Sequence, residues 1–180
     1  MSEDPAVTLE LICHPSAAAA AAAFCIRTSC RRQMSGVIEL RFQLSGQLGK
    51  LRIPSLCEPA RKDQLWQHTC FEAFIADDGA TDYREFNFSP SSEWAAYRFS
   101  HYRQGMAPEE AIQPEGLRVL RTDRELTFET RLPLRPAGAL RLALAAVIES
   151  ESGTLSYWAL RHPAERPDFH HPGSFAITLP

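Results

Sequence analysis

Residues 37–45 read Val-Ile-Glu-Leu-Arg-Phe-Gln-Leu-Ser, with Ile38, Leu40, Phe42 and Leu44 alternating against Glu39, Arg41 and Gln43. A period of two puts the four apolar residues on one face, so this segment predicts a half-buried strand. Gly46-Gln47-Leu48-Gly49 follows as a tight turn, and residues 50–53 begin another extended piece. Upstream, residues 7–13 and 24–31 have strand character. They are joined by the His14-Pro15 break and an alanine run over 17–23, which predicts at most a marginal helical turn. In the second half, residues 117–121 and 126–132 flank Thr122-Asp123-Arg124-Glu125, a predicted hairpin. Residues 140–148 are almost wholly apolar and fit a central strand or a short helix equally by periodicity. Residues 155–160 and 175–179 close the series, and Pro108-Glu109-Glu110-Ala111-Ile112 is the clear helical candidate. About nine to eleven short strands with regular turns predict an all-β sandwich or barrel. The 180 residues carry no repeat or linker and make one domain, 1–180.

Residues 65–106 differ from the rest in aromatic and polar density. Residues 69–76 and 83–89 read as two strands around Asp77-Asp78-Gly79-Ala80-Thr81-Asp82. On the second, Phe86 and Phe88 mark the core side, which leaves Tyr83, Glu85, Asn87 and Ser89 on the other. If the two form a hairpin, Glu72 shares the face of Glu85 and Asn87. Arg98 and Arg103 are the nearby cations, so a structural Glu85–Arg98 ion pair on a solvated face is one reading. The other is a ligand site walled by Trp66 or Trp94, since aromatic platforms beside carboxylates, amides and arginine suit sugar rings. A hydrolase using Glu72 and Glu85 as an acid–base pair is a further reading; it requires carboxyls about 5–5.5 or 6.5–9.5 Å apart. A face that docks another protein would instead expose an apolar patch without converging polar groups.

Composition narrows the partners. Lys+Arg number 19 against 22 Asp+Glu, for a net charge of −3, which gives no broad drive toward nucleic acid. The apolar run at 17–26 is far short of the roughly 20 residues a bilayer requires, and its flanking charges do not suit a leader. A cytoplasmic location and no membrane association are therefore expected. The five cysteines show no metal-type spacing and are expected as reduced thiols; Cys70 beside His68 reads as a buried thiol rather than a Cys–His pair. His162, Asp168, His170 and His171 invite a metal reading, but adjacent His170 and His171 do not readily face one ion, and a loop-shaping role is expected. There is no nucleophile elbow and no glycine-rich phosphate loop.

Four segments together, Leu65-Trp66-Gln67-His68-Thr69-Cys70-Phe71-Glu72, Glu85-Phe86-Asn87-Phe88-Ser89-Pro90, Trp94-Ala95-Ala96-Tyr97-Arg98-Phe99 and Pro167-Asp168-Phe169-His170, resemble the bacterial DOMON-like proteins, relatives of the family 9 carbohydrate-binding modules. The resemblance implies a two-sheet antiparallel β-sandwich of immunoglobulin-like or jelly-roll-like architecture. It also implies a non-enzymatic site on one sheet for a carbohydrate or other small polyhydroxylated ligand. Trp66 and Trp158 would clamp the sugar, while Glu72, Tyr83, Glu85, Asn87 and Arg98 line the polar face. No cofactor is expected. Some DOMON relatives bind haem through Met and His, and Met106 with His101 or His170 would be the pair here, although no matching motif surrounds them.

Overall fold

A computed structural model describes residues 6–18 and 22–180. The chain is all-β, and among the described residues its elements are twelve strands and a few single 3-10 turns. The strands are β1 (Val7–Cys13), β2 (Phe24–Arg32), β3 (Ile38–Gly46), β4 (Cys70–Asp77), β5 (Tyr83–Phe88), β6 (Trp94–Phe99), β7 (Ala107–Pro108), β8 (Glu115–Arg121), β9 (Glu125–Leu132), β10 (Leu140–Glu149), β11 (Leu155–Ala159) and β12 (Ile177–Leu179). Neighbouring strands are antiparallel in the order β7-β6-β5-β4-β10-β11-β1-β2-β3-β9-β8, with β12 added to β10. No described helix is long and apolar enough to cross a membrane.

The strands form one curled antiparallel sheet, because β1 belongs to both halves. Its residues Val7 to Leu11 pair with β2, and Ile12 and Cys13 then pair with Ala159 and Trp158 of β11. Curling brings the two halves face to face. Phe42 of β3 stacks on Phe71 of β4 with ring centroids 5.0 Å apart, and Phe88 of β5 lies 5.2 Å from Phe128 of β9. None of these strand pairs is hydrogen-bonded, so the contacts cross the core between the halves.

The period-two reading of β3 holds: Ile38, Leu40, Phe42 and Leu44 are buried, opposite Leu132, Thr130, Phe128 and Leu126 of β9. The hairpin at residues 122–125 joins β8 to β9. Residues 140–148 resolve as strand, since β10 lies between β4 and β11 and is buried on both faces. Two expectations fail. The 108–112 helix is absent: Glu109 instead takes the Arg84 guanidinium and caps Ala111 N–H, which holds the chain extended. Residues 50–53 do not return as a strand, and β3 leads through a 3-10 turn to a single bridge between Leu51 and Ser150. Of the alanine run, residues 19–21 lie outside the described residues.

Candidate functional site

The half-sheet β4, β5, β6, β10 and β11 is apolar on both faces. Phe71, Ala73, Ile75, Phe86 and Phe88 face the main core, while Cys70, Phe74, Tyr83, Tyr97 and Val147 belong to a second cluster on the reverse face. Glu72 lies opposite Asn87 and Glu85 opposite Phe74, so the two acids are diagonal cross-strand neighbours on that reverse face. Such neighbours are about 7–8 Å apart at the backbone. The row through Glu72 runs Ala159, Ala145, Glu72, Asn87, Ala95 across five strands. Alanines beside the acid leave space that larger side chains would fill.

That space is a cleft of about 560 Å³. Its floor includes Glu72, Glu85 and Val147, and its walls include Trp66, Phe99, Tyr157 and Phe169. The single turn Leu65–Gln67 carries Trp66, whose half-buried ring meets Tyr97 edge-on at 5.8 Å. Tyr97 in turn donates its hydroxyl to Asp63 Oδ1 at 2.6 Å.

Two loops complete the cleft. In the first, Arg103 adopts a left-handed backbone (φ 54°), a conformation uncommon outside glycine, and its N–H donates to Tyr83 Oη at 3.1 Å. Gly105 is required in the same turn: its φ is +66°, and a Cβ there would lie 2.3 Å from Ser100 Oγ. In the second loop, Asp168 Oδ1 accepts from Arg103 Nη2 at 2.8 Å and from the His170 N–H at 3.2 Å, while Tyr102 donates to Asp168 Oδ2. Burial works against the Asp168 carboxylate, but the hydrogen bonds from Tyr102 and Arg103 outweigh it and hold the acid below its ordinary range.

His170 reaches from this second loop into the cleft. Burial, reinforced by the Arg103 charge, lowers its pKa to about 4 against the pull of Asp168. The ring is therefore neutral at physiological pH. Its Nδ1 lies 2.8 Å from Tyr83 Oη, which accepts from Arg103 N–H, so the Tyr83 hydroxyl keeps its proton and donates it to Nδ1 as a hydrogen bond. Nε2 then carries the ring proton and faces Glu85 Oε2 at 3.7 Å.

The acids are unusual in their surroundings. Glu72 is 3% exposed and its Oε1 is buried with no hydrogen-bond partner. Burial and the neighbouring Glu85 hold its pKa well above the carboxylate range. Glu85 Oε1 accepts from Asn87 Nδ2 at 2.8 Å. Burial still pushes Glu85 up to about 7, against the Asn87 hydrogen bond and the Arg103 charge.

The structure thus brings together Trp66, Glu72, Tyr83, Glu85 and Asn87, with Asn87 acting through Glu85. Two expected site residues lie elsewhere. Trp158 is opposite Ala146 and buried in the main core, donating Nε1–H to Ser156 Oγ at 3.0 Å; its neighbour Tyr157 lines the cleft instead. Arg98 is exposed on the other face of β6, opposite Arg84, so no Glu85–Arg98 pair forms; the cation near Glu85 is Arg103. Trp94 also faces the main core. His68 pairs with Glu149 at 2.8 Å, away from the buried Cys70 thiol. His162 meets Ile12 O at 2.7 Å, and His171 caps the turn before Ser174 by accepting from Gly173 N–H. Among the described residues no three His, Cys, Asp or Glu cluster as metal ligands, and the five cysteines are free.

The fold has a known counterpart. The chain superposes with a TM-score of 0.61 on the crystal structure of a "putative carbohydrate-binding protein" from Bacteroides uniformis ATCC 8492. The two are 11% identical, and the match covers 94% of this chain and 84% of that one. No protein-family model and no curated protein matches the sequence.

Proposed function

We propose that the cleft over Glu72 and Glu85 binds a carbohydrate or other small polyhydroxylated ligand, and that the chain is a non-enzymatic binding module of the DOMON-like and family 9 carbohydrate-binding kind. The observation that carries this reading is an unpartnered buried carboxyl oxygen, Glu72 Oε1, on the floor of an aromatic-walled cleft. A buried acceptor without a partner costs about 1–3 kcal/mol, and a ligand hydroxyl would remove that cost. The cleft volume of about 560 Å³ falls within the usual range for small-molecule sites. Part-exposed Trp66 and Tyr157 in the cleft wall supply the aromatic surface that sugar C–H groups favour. The fold match to a protein described as carbohydrate-binding agrees with this reading.

The test is a glycan and small-metabolite binding screen on the wild type, Trp66→Ala and Glu85→Gln. Binding that weakens at least tenfold in both variants supports the cleft. Binding that survives both removes this face from consideration.

One observation favours a second reading. Two carboxyls share the cleft, and Glu85 sits at about 7, where an acid and a base can exchange roles at neutral pH. Turnover of aryl glycosides, abolished by Glu72→Gln and by Glu85→Gln, would establish a hydrolase. Binding without turnover would leave the module reading in place.

A further inference from the structure

The buried donors in the cleft wall already have partners inside the protein. Asn87 Nδ2 is given to Glu85 Oε1, the Tyr83 hydroxyl to His170 Nδ1 and the Tyr97 hydroxyl to Asp63. Arg103, the one fixed cation among the described lining residues, is paired with Asp168. The acceptors are less well matched. Glu72 Oε1 has no partner, and Glu85 Oε2 has His170 Nε2 at 3.7 Å, too long for a hydrogen bond. The cleft therefore holds two adjacent acids whose Glu72 Oε1 and Glu85 Oε2 lack hydrogen-bond partners, between aromatic walls.

We infer that the ligand carries a protonated primary amine beside its hydroxyls, as an amino sugar does, and that its ammonium sits between Glu72 and Glu85. This rests on the reading above that the cleft is the ligand site. An ammonium brings three donors and no acceptor, whereas a hydroxyl brings one donor. Two carboxylates on one buried face cannot both ionise without a cation to separate them, and the ligand's charge supplies it. The part-exposed rings of Trp66 and Tyr157 in the cleft wall add aromatic surface that a cation favours. His170, neutral at physiological pH, adds no opposing charge.

The ammonium takes the place of a proton held by the acid pair, so binding releases a proton to the buffer. The groups facing the pair are Cys70, Tyr83, Tyr97, Arg103, Asp168 and His170. Cys70 and both tyrosines are pushed upward, Arg103 is raised, and Asp168 and His170 are lowered, which leaves Glu85, at about 7, as the group among these that titrates near neutrality, beside a Glu72 held well above the carboxylate range.

The test is calorimetric titration of the full chain with glucosamine, N-acetylglucosamine, glucose and their β-1,4-linked dimers, each in two buffers of different ionisation heat. The amine-bearing sugars are expected to bind about tenfold more tightly than either neutral set, as charge-assisted hydrogen bonds exceed neutral ones. Their heats are expected to depend on the buffer, and those of the neutral sugars not. Glu72→Gln should remove most of the preference, with a melting curve on the same protein showing that it is folded. Neutral sugars that bind as tightly as the amines would overturn the inference and leave the sugar site standing. Failure of all six to bind would overturn both.

Discussion

Glu85 and its surroundings make a quantitative claim about stability. The carboxyl titrates at about 7 in the folded chain, against 4.5 when unperturbed. Between those values the native state holds a proton that the unfolded chain has released, so stability is lost as pH rises through the window. At about 1.4 kcal/mol per pH unit the loss comes to about 3 kcal/mol by pH 7 and above. Glu85→Gln removes the titration, and its carboxamide oxygen can still accept from Asn87 Nδ2. The assay is urea denaturation of wild type and variant at steps from pH 4.5 to 8. The useful quantity is variant minus wild type, in which distant titrations cancel. That difference is expected to rise by about 3 kcal/mol in favour of the variant across the window. Any relief of Glu72, whose pKa Glu85 helps to raise, adds in the same direction. A flat difference, or a variant that loses ground as pH rises, would refute the burial argument.

Four further substitutions probe the same architecture. His170→Asn should show the opposite slope: the ring titrates at about 4 folded and 6.5 unfolded, so wild type loses stability as pH falls through that range. Relative to wild type the variant should therefore gain about 3 kcal/mol from pH 6.5 to 4 in the same urea assay. Trp158→Ala should cost about 3–5 kcal/mol by thermal or urea unfolding, since its ring is in the main core. Trp66→Ala, with a half-buried ring, should cost about 1–2 kcal/mol while removing ligand binding. Arg98→Ala, exposed on the opposite face, should change stability by no more than about 0.5 kcal/mol and leave binding intact.

The parts of the fold that the sequence made legible are those where alternation separates polar from apolar. β3 and β9 are of this kind, and so is β5, where Phe86 and Phe88 against Glu85 and Asn87 fix the parity. Antiparallel pairing then carries that parity to Glu72. Where both faces are apolar, alternation is silent. β6 reads Trp-Ala-Ala-Tyr-Arg-Phe, and nothing local says that Tyr97 rather than Arg98 faces Glu85. β11 offers Tyr157 and Trp158 in succession, and its pairing with β10 decides between them. The small residues Ala143 and Ala145 on one face of β10, against Leu142 and Leu144 on the other, were an available signal for the cleft side. The contributions of Arg103, Asp168 and His170 depend on two loops distant in sequence that meet where Tyr102 and Arg103 both bond Asp168, and no periodicity encodes that meeting. The single curled sheet was likewise hidden, because β1 changes partners within seven residues.

In the proposed function, ligand enters the cleft beside Trp66 on the reverse face of the β4–β5 hairpin. The chain has three tryptophans, of which Trp66 lines the cleft while Trp94 and Trp158 face the main core. Each indole N–H gives its own resonance in a proton–nitrogen correlation spectrum, so a titration with amine-bearing and neutral sugars reads the three positions at once. The Trp66 signal is expected to shift with saturating dependence on ligand while the other two stay in place. Movement of Trp94 or Trp158 with an unmoved Trp66 would place the ligand elsewhere and rule out this cleft.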